Sequence, residues 1–254
     1  MNTLVGNTLR CMVAGVTLVA AASMAADQPG KQQAGNKNIP LEAATMIIEY
    51  NASAEDIGVQ FFLDSEGWRE IEIFDPRGHT IFDAETGGRL TRQGGGTELF
   101  LESVEPPLAE LSIAHFFKRF PAGIYEFRGR DNDGNRLEGQ AKFTHDIPAG
   151  PEIVMPVPAR GKECAANVPT RGAVVEWNPV TTSISGAPIE IVRYEVIIEN
   201  DDLNFDVKFP AETGTMLSVS LELLQPDTEY TGEVLAVERG GNQTITEFCF
   251  TTAS

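Results

Sequence analysis

Ala173-Val174-Val175-Glu176-Trp177-Asn178-Pro179, answered further on by Leu223-Leu224-Gln225-Pro226-Asp227-Thr228-Glu229-Tyr230, decides how this chain is read. In the first stretch Val175 and Trp177 fall on one face, the period of a strand with one side buried. Asn178-Pro179 then ends it. The second stretch is a Leu-x-Pro-x-Thr-x-Tyr corner that feeds another strand, Glu233 to Glu238. Pro226 presets its own φ and withdraws a backbone donor, as the first residues of a turn require.

The neighbouring segments supply the other strands. Ile189–Glu199 puts Tyr194, Val196 and Ile198 inward, and Asn200-Asp201-Asp202 turns the chain. Phe205, Val207 and Phe209 alternate with Asp206 and Lys208 on the returning strand. Met216–Leu221, Tyr230–Glu238 and Thr244–Thr251 follow, the last two joined by a Gly240-Gly241-Asn242 hairpin turn. This pattern over residues 149–254 resembles a fibronectin type III domain, matching at Trp177, Tyr194, Leu224, Pro226, Thr228 and Tyr230. The resemblance implies two antiparallel sheets with Trp177 packed beneath them and Tyr230 anchoring the chain at its corner. Trp177, Tyr194, Pro226 and Tyr230 thus have structural roles. The sequence departs from that pattern in the long Ser/Thr-rich connection Val180–Pro188 and in its cysteines, which the fold does not require.

Residues 41–148 read as a second sandwich of short strands: Met46–Tyr50, Gly58–Asp64, Glu70–Asp75, Thr80–Ala84, Glu98–Glu102, Gly123–Gly129 and Glu138–His145. Asp75-Pro76-Arg77-Gly78, Gly87-Gly88, Gly94-Gly95-Gly96 and Asp133-Gly134-Asn135 punctuate them. One short helix is expected, with Ser112 as cap, Phe116, Phe117 and Phe120 at helical spacing, and Pro121 as its stop. The run Phe120-Pro-Ala-Gly-Ile-Tyr-Glu-Phe127, with Asp133-Gly134 after it, resembles the last hairpin of many bacterial Ig-like domains. The expected fold class is therefore all-β, two tandem β-sandwiches, Ig-like then fibronectin type III-like.

Ahead of them, residues 1–25 have the form of a cleavable signal peptide. Arg10 precedes the apolar run Cys11–Ala22, and Ser23-Met24-Ala25 offers small residues for cleavage. Arg10 stands where a lipoprotein signal needs a small residue, so Cys11 is not read as a lipid anchor. Residues 26–40 are polar and aperiodic, a flexible linker. Asp146–Arg160 holds four prolines and reads as a stiff connection into the second sandwich. These features imply a periplasmic or secreted protein. No later stretch is long enough to span a bilayer.

Removal of the signal leaves Cys164 and Cys249. An even count in an exported chain favours a disulfide, closing a loop of about 85 residues; two free thiols are the alternative. The parity of the last strand puts Cys249 opposite Phe248 and Phe250, outside the layer those rings fill.

The net charge of −18 repels phosphate backbones, and no basic stripe offsets it, which excludes nucleic acid as a partner. Catalysis finds no motif. Gly-x-Ser-x-Gly is absent, and His79, His115 and His145 are scattered over a turn, the helix and a strand end. Asp131, Asp133 and Asn135 share a loop whose acid spacing suggests calcium, yet it lacks the twelve-residue frame of an EF-hand. A hairpin turn accounts for the same residues. Glu199, Asp201 and Asp202 pose the same choice. Trp68, beside Glu66 and Gly67, either contacts a ligand such as a sugar ring or caps the first core. Asn51-Ala52-Ser53 and Asn242-Gln243-Thr244 have the form of glycan acceptors. The expectation is a non-enzymatic binding or structural module without a required cofactor, recognising a protein or cell-envelope glycan. A carbohydrate-binding module or a hydrolase accessory protein are the alternatives.

Overall fold

Alternating β-branched and aromatic residues with one apolar face each need a second layer to cover that face. The computed structural model, which describes residues 35, 37–157, 164–219 and 223–254, meets that need twice. The expected signal peptide and most of the expected tether lie outside the described residues.

In the first half, β1 (Asn38–Pro40), β2 (Ala43–Asn51), β3 (Asp56–Trp68), β4 (Glu70–Phe74) and β5 (Thr80–Glu85) lead to a short helix, α1 (Gly88–Gln93). Then come β6 (Gly96–Glu102), α2 (Ile113–Arg119), β7 (Gly123–Arg130) and β8 (Arg136–Phe143). One layer has the order β1-β8-β7-β4-β5, and the facing layer contains β2-β3-β6. Between them lie Ile48, Phe61, Leu63, Ile71, Phe127 and Phe143, with Phe116 of α2 closing one side. The helix is the one expected, although the Ser112 hydroxyl meets His115 Nδ1 at 3.2 Å and caps no backbone donor. The tether ends sooner than its composition implies. Asn38–Pro40 pairs in parallel with Arg136–Glu138, because the edge of β8 offers backbone partners to whatever chain lies beside it.

The second half contains β9 (Ile153–Met155), β10 (Ala165–Val168), β11 (Ala173–Trp177), β12 (Ile191–Glu199), β13 (Asn204–Pro210), β14 (Met216–Val219), β15 (Glu229–Glu238) and β16 (Gln243–Thr252). Residues 220–222, the end of the strand expected to Leu221, and residues 158–163 are outside the described set. The layers are β14-β11-β9 and β13-β12-β15-β16, the three-plus-four arrangement of a fibronectin type III-like sandwich. Trp177 is 1 % exposed, edge-on to Tyr194 at 5.2 Å between centroids. Tyr230, also 1 % exposed, accepts the Gln225 N–H at 2.8 Å on its hydroxyl, which fixes the corner around Pro226. The Tyr194 hydroxyl accepts the Val180 N–H at 2.9 Å. The described chain is an all-β pair of sandwiches.

Cys164 and Cys249 form a disulfide, with Cα atoms 4.6 Å apart. It clamps β10 against β16, whose Phe250 points into the core. Closing 85 residues is worth ~4 kcal/mol on a chain-entropy estimate.

The sandwiches share a sheet. Gln243–Ile245 of β16 pairs in parallel with Glu49–Asn51 of β2, so one sheet runs β13-β12-β15-β16-β2-β3-β6 through both halves. The edge of β16 is thus divided, its start covered by β2 and its end by β10.

Candidate functional site

The surface singled out by this construction is the seam where β2 meets β16. Its anchor is Asn242, 2 % exposed. The β15–β16 turn is shaped to present it: the Glu238 carboxylate accepts the Gly240 and Asn242 N–H groups at 2.6 and 3.0 Å. Gly241 takes φ +100 there, a conformation that glycine adopts without steric cost. Asn242 Oδ1 accepts the Ile48 N–H at 2.8 Å. Its Nδ2 donates to Thr144 Oγ1 at 2.9 Å and to the Asp146 carbonyl at 3.1 Å. The Thr244 hydroxyl donates to the Pro148 carbonyl at 2.7 Å. One buried amide therefore ties β2, the end of β8 and the inter-sandwich connection together.

The proline-rich connection is itself held. Ala149 N–H donates to Thr182 O at 2.9 Å and Ile184 N–H to Ile147 O at 3.0 Å. Ile184 packs on the first core. The long Val180–Pro188 connection, anomalous for the second sandwich alone, is the piece that reaches the first.

On the outer face of the seam lie three carboxylates, Glu49, Glu102 and Glu105, whose oxygens fall within 4.8 Å of one another. Glu49 projects from β2 away from the core side that Ile48 occupies, yet is only 6 % exposed. Gln243 Nε2 donates to its Oε2, and Gln60 Nε2 donates to Glu102 Oε1 at 3.4 Å. Gly58 explains how Glu105 reaches the site: a Cβ there would stand 2.7 Å from Glu105 Cγ and 2.9 Å from Ser103 Oγ. A larger residue there would push the Glu105 and Ser103 side chains aside. One oxygen each of Glu105 and Asp56 is buried with no hydrogen-bond partner among the described residues.

Burial pushes the Glu49 carboxyl up to about 7; the Gln243 bond opposes this and the Glu102 charge adds to it. Burial, then Glu49, Asp56 and Glu102, pushes Glu105 up to about 7 as well. Asp56 is raised by burial and by Glu247. No ion pair involves any of these four acids among the described residues. Calcium takes six to eight oxygen ligands; the three carboxylates offer at most six, one of which already accepts from Gln243.

Further along the same sheet, Glu199, Glu233 and Glu247 line an open hollow of about 740 Å³ with Ser53 and Thr231. Burial raises Glu233, and Glu247, Glu199 and Glu195 raise it further. Asn51 Nδ2 donates to Glu247 Oε1 at 2.6 Å, and Glu247 N–H to Ser53 Oγ at 2.9 Å. Both residues of the Asn51 and Asn242 acceptor motifs that would carry a glycan are therefore engaged by the seam.

The ligand-contact, metal and histidine candidates singled out from sequence do not converge, unlike Trp177 and Tyr194 or the two cysteines. Trp68 is in the first core at 7 % exposure, its ring over Gly96; it caps that core, and a stacking surface for a sugar is not presented there. The Asp131 loop is a hairpin turn. Asp131 Oδ1 accepts the Asn135 N–H at 2.8 Å and Oδ2 the Asn135 amide at 2.7 Å, while the Asp133 carbonyl accepts the Gly35 N–H. In the other acidic turn, Asn200 Oδ1 accepts the Asp202 and Leu203 N–H groups. His79 bonds Asp75, His115 bonds Ser112, and His145 donates to the Phe120 carbonyl at 2.8 Å. Each histidine serves a local contact. Glu49 and Glu105 escape the sequence reading because a lone acid in or just after a strand carries no periodic signal; Asn242 stands in the expected Gly240-Gly241-Asn242 turn, whose spacing gives no sign of its distant partners.

No protein-family model matches the chain, and no curated protein matches it. Among solved structures it is similar to a tetra-tandem repeat in the extending region of a large adhesion protein, at 14 % identity and TM-score 0.27, over 83 % of this chain and 49 % of that one. It is similar to the FN1–FN3 domains of chicken CNTN1, at 9 % identity and TM-score 0.31, over 86 % and 66 %. It is also similar to a structure described as host cell surface retention of a 1.5-MDa bacterial ice-binding adhesin, at 13 % identity and TM-score 0.27, over 86 % and 66 %. The chain spans from about half to about two thirds of the length of these structures. The fold assignment rests on the strand order above. No helix of the described residues is long and apolar enough to cross a membrane.

Proposed function

We propose that this chain is an exported, non-catalytic module whose two sandwiches act as one rigid body to bind or space a protein partner at the cell envelope. The observation that carries this reading is the continuous sheet locked by Asn242. Tandem sandwiches on a loose tether would reorient freely, whereas a shared sheet with a buried amide at its seam holds two loop-bearing ends at fixed separation. The Cys164–Cys249 disulfide supports an oxidising compartment. The acidic outer face disfavours anionic partners such as nucleic acid. A protein partner is preferred over a glycan because Trp68, the aromatic ring best suited to stack on a sugar, is in the core.

The test is retention of envelope fractions on the immobilised chain, alongside an unrelated sandwich of equal charge. Saturable retention that protease treatment of the envelope abolishes is expected. Retention abolished by glycan digestion would shift the reading to a carbohydrate-binding module. Turnover of model glycoside or ester substrates, lost on changing one carboxylate, would overturn it.

A further inference from the structure

We propose that Glu49 and Glu105, facing Glu102 across the sheet, form a pH-sensitive latch: with these two protonated, the segment 103–107 is held on β3 and the seam is steadied; with them ionised, both loosen. The crowding favours the neutral carboxyls. Three carboxylates with oxygens within 4.8 Å of one another repel strongly when all are charged, and the more so for being partly removed from water. Among the described residues, the groups facing them offer no cation. From β16 comes the neutral Gln243; from β3 come Gln60, Asp56 and the bare backbone of Gly58; from β6 and the segment after it come Glu102 and Ser103. Glu247 of β16 adds a further negative charge toward Asp56.

The cluster also sits where it can transmit force. Glu49 is in the register of the strand pair that joins the sandwiches, opposite Gln243. Glu105 lies on the segment clipped to β3 by Ser103 N–H to Val59 O at 2.9 Å and Val59 N–H to Ser103 Oγ at 3.0 Å, and to the turn before β3 by Leu108 N–H to Glu55 O at 2.7 Å. Loss of protons pushes these two carriers apart, and the segment, held by few bonds, yields first.

The direction follows from linkage. Glu49 and Glu105 ionise in the folded chain at about 7 against an ordinary 4.5. The folded state therefore holds more protons than the unfolded one between those values. Their stabilising contribution is complete below about pH 4.5 and is lost as pH rises through about 7.

The experiment is thermal melting from pH 5.5 to 8.5 for the wild type, Glu49→Gln, Glu105→Gln and the exposed control Glu98→Gln. Wild type and Glu98→Gln should lose on the order of 5 °C between pH 6 and 8. Glu49→Gln and Glu105→Gln should lose less than half of that. At pH 8, hydrogen exchange of residues 49–60 and 103–108 should be faster in wild type than in Glu105→Gln. Equal slopes in all four proteins would overturn the latch. So would a rise in wild-type melting temperature with millimolar calcium at pH 8 that is missing in Glu105→Gln, since the cluster would then be a cation site.

Discussion

The two sandwiches reach the same architecture by different means. The first fills its centre with phenylalanine, Phe61 standing edge-on to Phe127 at 6.4 Å and Phe143 to Tyr125 at 5.3 Å, and closes its flank with Phe116 of α2. The second is built on Trp177, Tyr194 and Tyr230 and closes its flank with a covalent bond. Yet each uses a tyrosine hydroxyl to fasten the chain a few residues upstream. Tyr125 donates to the Pro121 carbonyl at 3.1 Å, and Tyr230 accepts from Gln225. The core composition is interchangeable; the hooked tyrosine and the need to cover both layers are not. The seam then makes the two solutions one object.

That contrast can be broken most sharply at the second core. Trp177→Ala should cost ~3–5 kcal/mol through the cavity it leaves, read by urea denaturation. With Trp68 remaining as the reporter of the first core, its emission should shift in the same transition if the seam couples the halves. Next in size, replacing both cysteines by serine should lower stability by ~2–4 kcal/mol, and, with the halves coupled through the seam, should lower hydrogen-exchange protection in the phenylalanine-rich half as well.

Asn242→Ala probes the joint itself. It strands the Ile48 N–H and the Asp146 carbonyl, for ~1–3 kcal/mol. More tellingly, it should split one calorimetric transition into two. A single unchanged transition would show that the strand pairing alone carries the coupling. The smallest effects test the shared device: Tyr125→Phe and Tyr230→Phe should each cost ~1 kcal/mol. A much larger loss at Tyr230 would mean that the corner matters only in the half with the longer turn.

Much of this was legible. Expected strands such as Thr80–Ala84 and Ala173–Trp177 lie within a residue of those observed, because their alternation is a local property of a half-buried strand. The short pieces were not. Asn38–Pro40 has no pattern of its own and is a strand only because the β8 edge is beside it. α1 lies between two glycine runs and buries no residue, so no apolar period marks it. Trp68 was left open between ligand contact and core cap, since a lone aromatic beside a glycine reads the same either way.

The sequence by itself determined the alternating strands of the two halves and inward rings such as Trp177 and Tyr230, and it favoured pairing the two cysteines, since each depends on parity, spacing or count along one strand. Only the tertiary structure decided that the halves share a sheet. Ile48 and Asn242 are 194 residues apart, and polar groups choose partners across such a distance only after both sandwiches have formed and brought their edges together. The same holds for the carboxylates at the seam. Their proton affinities are set by burial and by one another, which no reading along the chain can supply.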